Sequence, residues 1–119
     1  MKNKEYMSFL KMIDYIDKSL KYTNGYSFES FCSDDKTIDA TVFTISQIGE
    51  LVKNISKDTM LKYPSIEWNM IKGLRNRIVH DYEGISLKSI WYILNNDIPQ
   101  LKDDLQTIIK AEESEEVED

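Results

Sequence analysis

The stretch "IEWNMIKGLRNRIVHDY" (66–82) decides how the rest of the chain is read. Its apolar residues Ile71, Leu74 and Ile78 recur at intervals of three and four, the spacing of one helix face. With Asn76 set at zero on a helix of about 100° per residue, Leu74 falls near 160°, Ile78 near 200° and Ile71 near 220°. These three form a core face. His80, the only histidine in the chain, falls near 40°, with Gly73 near 60°, Val79 near 300° and Arg75 on the flank near 260°. The polar residues therefore point away from the chain's own core. A face of Gly73, Asn76, Val79 and His80 suits a symmetric contact between two copies that encloses a polar cleft. Each copy would bring one arginine and one histidine to that cleft.

The same periodicity extends in both directions. Tyr6, Phe9, Leu10, Ile13, Ile16 and Leu20 make one stripe over about 4–22. "TNGYS" (23–27) reads as a turn and "FESFC" (28–32) as one short helical piece. Ser33, Asp34 and Asp35 are good N-cap types for a helix whose apolar face is Ile38, Val42, Ile45, Ile48, Val52 and Ile55. "KYPS" (62–65) breaks the pattern, because proline disfavours helix in the residue before it, and Ser65 is placed to cap a helix from Ile66. "EGIS" (83–86) is the next break, with Gly84 as helix stop and Ser86 as the new cap. The last helix spans about 87–110, with Ile90, Trp91, Leu94, Ile98, Leu101, Leu105 and Ile108 as its stripe. Pro99 should kink it, since its ring clashes with the carbonyl of Asn95. The expected fold is all-α: an up-down bundle of four long helices plus a short one.

The 119 residues are the size of one domain. No apolar run approaches the roughly 20 residues of a membrane helix, and charges run through "MKNKEYMSFLKMIDYI", unlike a secretory signal. The lone cysteine, Cys32, has no partner for an internal disulfide, which fits a reducing cytoplasm. Net charge is −6, and its location matters more than its size. "EESEEVED" (112–119) holds six acids and no base, so 15 acids and 15 bases remain in residues 1–111. The expectation is a single domain over 1–111 and a solvated, disordered acidic tail over 112–119. A neutral body is open to binding RNA.

The side chains restrict the chemistry. There is no second histidine and no His/Cys/Asp cluster at metal spacing, so neither metal nor other cofactor is expected. No glycine-rich phosphate loop is present, and no serine stands with an evident oxyanion hole. Histidine with arginine does suit metal-independent RNA cleavage. An imidazole, with a reference pKa of about 6.5, takes a proton from a 2′-hydroxyl or gives one to a leaving oxygen. A guanidinium holds the phosphate by paired hydrogen bonds as charge builds.

"RNRIVHDY" (75–82) resembles the signature of HEPN-domain ribonucleases, and the tyrosine two residues beyond the histidine resembles the HepT subgroup, the toxin half of HepT–MntA toxin–antitoxin modules. The likeness covers roughly 5–108 and includes "IDATVFTISQIGELVKNIS" (38–56) and "IWYILNNDIPQLKDDL" (90–105). It implies an all-α dimer in which the helices carrying the signature meet and build a composite site. It implies Arg75 and His80 as the catalytic pair, with Asn76 as the polar residue after the arginine. It also implies that an MntA-like nucleotidyltransferase antitoxin adds AMP to Tyr82 and silences the toxin. The substrate class would be tRNA or mRNA. Two other readings fit the same residues: a non-catalytic HEPN dimer that binds nucleotide or a nucleotidyltransferase, and a plain helical dimerisation protein.

Four further expectations concern neighbours of the motif. Arg77 and Asp81 stand four apart and can pair as structural support. Trp68 and Trp91 read as core anchors, with Trp68 also leaning toward the Arg75 flank. Gly49, inside a helix at a cost of up to ~1 kcal/mol relative to alanine, implies close helix packing. No chemical role attaches to Gly49 or Glu50 from the sequence.

Overall fold

The computed structural model describes residues 1–84 and 86–118, with side chains through Glu115. Among these residues every regular element is helical: α1 (Asn3–Tyr22), α2 (Phe28–Cys32), α3 (Asp35–Leu51), α4 (Lys57–Lys62), α5 (Trp68–Glu83), α6 (Leu87–Tyr92) and α7 (Ile98–Glu118). A 3₁₀ turn covers Val52–Asn54 and a π-helical turn covers Ile93–Asp97. The all-α bundle expected from the periodicity is observed. α3 packs against α1 on one side and α5 on the other. The stripes meet in one core that includes Phe9, Met12, Ile16, Ile45, Ile48, Leu74, Ile78 and Leu105. α5 buries Trp68, Ile71, Leu74 and Ile78, the side the helical wheel assigns to the core.

Local chemistry sets the helix ends. Gly25 adopts φ 80°, the left-handed turn that lets the chain leave α1. Ser27 and Ser30 form a reciprocal capping box at α2. Asp34 caps α3 by accepting the Thr37 amide at 3.1 Å. Ser86 stands at the N-cap position of α6, but its hydroxyl donates to Ser89 Oγ at 3.0 Å and makes no side-chain cap. Ile85, within the expected "EGIS" break, lies outside the described residues.

Several boundaries differ from the sequence reading. The stripe from Ile38 to Ile55 is not one helix. α3 stops at Leu51, and Ile55 is extended (φ −94°, ψ 127°) yet still buried. Ser56 then caps α4 by accepting the Thr59 amide at 3.2 Å. The buried Glu5 carboxylate fixes this corner, accepting the Ser56 amide at 2.5 Å and the Thr59 hydroxyl at 3.1 Å. α5 begins at Trp68, and Ser65 does not cap it; Glu67 holds the N-cap position without a side-chain bond. The Trp68 indole N–H instead ties α5 to α4, donating to the carbonyls of Met60 (3.1 Å) and Tyr63 (3.0 Å).

Pro99 is the second residue of α7, next to a π-helical turn. The helix widens to a π turn directly before it, and the Asn95 and Asn96 amides donate to the carbonyls of Trp91 (2.9 Å) and Tyr92 (3.0 Å). Residues 112–118 continue α7. Glu112 continues the buried Leu105–Ile108 line, and Lys62 of α4 pairs with Glu112 (3.2 Å) and Glu115 (2.7 Å). Asp119 lies outside the described residues.

Candidate active site

α5 and α3 approach each other closely at Gly49. A methyl group built on Gly49 would lie 2.7 Å from the Arg75 backbone nitrogen and 3.0 Å from its Cβ. Only hydrogen fits there, which is the physical reason for a glycine inside α3. The close packing inferred from Gly49 is therefore real, and it falls on the arginine of the motif. It also brings the neighbouring Glu50 to Arg75, with Glu50 Oε1 3.5 Å from Arg75 Nε. Glu50 accepts a second cation, Lys53, at 2.8 Å. The hydrogen bond from Lys53 holds the Glu50 carboxyl below its ordinary range against the opposing effect of burial, and the charges of Lys53 and Arg75 add to it. Arg75 Nη1 also donates to Asn76 Oδ1 at 3.3 Å.

Between α3 and α5 this arrangement leaves an open groove of about 680 Å³. Ser46, Gln47, Glu50 and Lys53 line one wall, and Lys72, Arg75, Asn76 and Val79 the other, with Gly49 at the base. The structure thus brings Arg75 and Asn76 together on one wall. His80 stands one turn beyond Asn76, with its side chain 88% exposed. Its Nδ1 is 3.7 Å from Asp81 Oδ1, a distance that becomes an ion pair only when the ring is protonated. Asp81 Oδ2 is buried without a hydrogen-bond partner among the described residues. The expected Arg77–Asp81 pair is not formed. Arg77 reaches Asp97 on the following π turn at 3.5 Å, and Asp81 lies turned toward His80.

Tyr82 is 40% exposed, and its hydroxyl donates to the Asp39 carboxylate of α3. That bond, together with the charge of Asp39, holds the phenol above its ordinary value. Gly84 ends α5 just beyond, its amide donating to the His80 carbonyl at 2.8 Å. Trp68 lies in the core against Phe9 and not on the groove wall, and Trp91 packs on Phe31 with ring centroids 5.1 Å apart. No group of three or more His, Cys, Asp or Glu side chains among the described residues could hold a metal ion.

Known proteins are similar to this chain over most of its length. The sequence profile described as "Ribonuclease HepT-like" matches residues 12–108. The chain belongs to the HepT-like ribonuclease family. A candidate RNase of Methanocaldococcus jannaschii is 33% identical over 117 residues, covering 98% of this chain and 97% of that one. A "Probable ribonuclease HepT" of Thermococcus cleftensis is 32% identical over 90 residues, covering 76% of this chain and 82% of that one. No solved structure matches. The residues of this HepT-like chain that sequence reasoning left without a role are Gly49, Glu50, Lys53 and Lys72. A glycine inside an apolar helical stripe was the one signal that pointed to them. No helix is long and apolar enough to cross a membrane among the described residues.

Proposed function

We propose that this HepT-like chain is a metal-independent endoribonuclease, the toxin of a HEPN/nucleotidyltransferase module, working in the cytoplasm as a homodimer joined across α5. The observation that carries the reading is the placement of Arg75, Asn76 and His80 on the solvent side of α5. They stand beside a groove, on a helix whose opposite side is committed to the core. Gly73, on the same outer side, has nothing within 4 Å of where a Cβ would stand.

Two copies would bring two imidazoles and two guanidiniums together. One imidazole takes the proton of a ribose 2′-hydroxyl, and that oxygen attacks the adjacent phosphorus. The bond to the 5′-oxygen breaks, and the second imidazole gives that oxygen a proton. Arg75 holds the nonbridging oxygens as their charge rises, with Asn76 bonding the guanidinium from the side. Only protons move between protein and RNA, so the step needs no metal. The products carry a 2′,3′-cyclic phosphate and a free 5′-hydroxyl.

An MntA-like nucleotidyltransferase is the proposed antitoxin, adding AMP to the exposed Tyr82 hydroxyl. Each AMP brings about one negative charge and a bulky base close to the phosphate site, opposing RNA by repulsion and by occupancy. The test uses purified wild-type, Arg75→Ala and His80→Ala proteins on tRNA and on mRNA, with circular dichroism to confirm folding. The wild type should cut at least one of these RNAs and both folded variants should fail, Arg75→Ala by a loss of about 2.7–4 kcal/mol of transition-state stabilisation. Full activity of folded His80→Ala contradicts the reading.

A further inference from the structure

Four residues lining the α3–α5 groove are charged, and three of them are basic: Lys53, Lys72 and Arg75 against Glu50. This is a local excess of two positive charges on a chain whose net charge is −6. The remaining lining is mostly hydrogen-bonding: Ser46, Gln47 and Asn76. Lys72 precedes Arg75 by one helical turn on the same wall and has no ion-pair partner among the described residues. Lys53 follows Glu50 by one turn on the opposite wall, with its side chain 71% exposed. Glu50 occupies the position of an anion between Lys53 and Arg75, bonded to Lys53 at 2.8 Å and near Arg75 at 3.5 Å. Gly49 keeps the two walls close enough for one anion to touch both cations.

We propose that this groove seats the phosphodiester backbone of the RNA, with Lys53 and Lys72 binding phosphates that flank the one held by Arg75. The assignment rests on the nuclease reading for its ligand and extends it to residues outside the RNRIVHDY segment. A strand lying here would run from the groove past Asn76 and Val79 toward His80. Entering phosphate would replace the Glu50 carboxylate on Arg75. Lys53 and Lys72 touch no reacting atom in this arrangement. They set where the strand lies and how tightly it is held.

Binding measured against salt tests the assignment. The full chain carrying His80→Ala, which should not cut, is titrated with a short fluorescein-labelled single-stranded RNA across a salt series. Each phosphate contact to a single strand contributes about 0.7 to the slope of log affinity against log salt. Adding Lys53→Gln and Lys72→Gln should therefore reduce the slope by about 1.4, so a fourfold rise in salt weakens this variant about sevenfold less than its parent. Lys110→Gln, on α7 and outside the groove lining, should leave the slope unchanged. A slope that the double substitution does not alter, or that Lys110→Gln lowers equally, overturns the proposal, as does absence of RNA binding at low salt. Wild-type protein that binds this RNA with the expected slope but never cuts any RNA would sink the nuclease reading and leave the groove assignment standing.

Discussion

Gly49 has no room for a methyl group, and the atoms in the way belong to Arg75. Alanine at this position would gain up to ~1 kcal/mol of helix propensity. Forcing a methyl into a packed contact costs ~1–3 kcal/mol. The second effect is the larger, so Gly49→Ala should lower stability in a denaturant melt despite alanine's better propensity. It should also reduce RNA cleavage, because α5 moves away from α3 with Arg75 on it. A stabilised, fully active Gly49→Ala protein would show that the contact does not set the site. Tyr82 gives a second prediction at this scale. Its phenol is held up by the hydrogen bond to Asp39 and by that carboxylate's charge. Asp39→Asn should bring the Tyr82 ionisation down toward the ordinary 10.0, read from the ¹³Cζ resonance in a pH titration. Tyr82→Phe should leave cleavage intact and escape silencing when a cognate nucleotidyltransferase is co-expressed, with intact mass unchanged.

At the scale of helices, the corner between α3 and α4 depends on one carboxylate. Burial raises the Glu5 carboxyl, but hydrogen bonds from Ser56 and Thr59 and from the Lys2 backbone outweigh it, and the group sits below its ordinary 4.5. A depressed carboxylate contributes stability that is fully present above the unfolded value and is lost as pH falls through the native one. Glu5→Gln should therefore destabilise the protein by about 1.5–3 kcal/mol at neutral pH. The difference from wild type should shrink as pH drops below about 4.5. A constant difference across that range would place the effect elsewhere.

This corner also shows what the sequence conceals. The stripe Ile38–Ile55 keeps helical spacing through Val52 and Ile55, so apolar periodicity alone gives no break there. The local signal was Ser56 followed by Asp58, a cap and an acid in a first turn, and it lay inside a continuous apolar pattern. Arg77 was assigned to Asp81 because that spacing is local. Its actual partner, Asp97, comes 20 residues later on the π turn that precedes Pro99. By contrast, the assignment of Ile71, Leu74 and Ile78 to the core and of Asn76 and His80 to solvent follows from helix geometry and needs no tertiary information. The groove was not legible, because its second wall belongs to α3, and which α3 residues face Arg75 depends on how the two helices pack.

The whole molecule is an elongated bundle, 52 × 25 × 21 Å, with the signature helix along its surface. Within one chain Arg75 faces the groove while His80 stands in solvent, so the proposed chemistry needs a second copy across α5. Sedimentation at micromolar concentration should show a dimer. Gly73→Glu should leave the chain folded, since nothing lies within 4 Å of that position in its own chain, and should shift it toward monomer. A wild-type monomer with folded helices would rule out a composite site.

The most direct test of the central claim is the chemistry of the cut ends. RNA incubated with the purified protein in excess chelator should be cleaved at an undiminished rate. The upstream fragment should end in a 2′,3′-cyclic phosphate and the downstream fragment should begin with a 5′-hydroxyl, with neither formed by His80→Ala. Cleavage abolished by the chelator, or products bearing a 5′-phosphate and a 3′-hydroxyl, would contradict a metal-independent attack by the RNA's own 2′-oxygen.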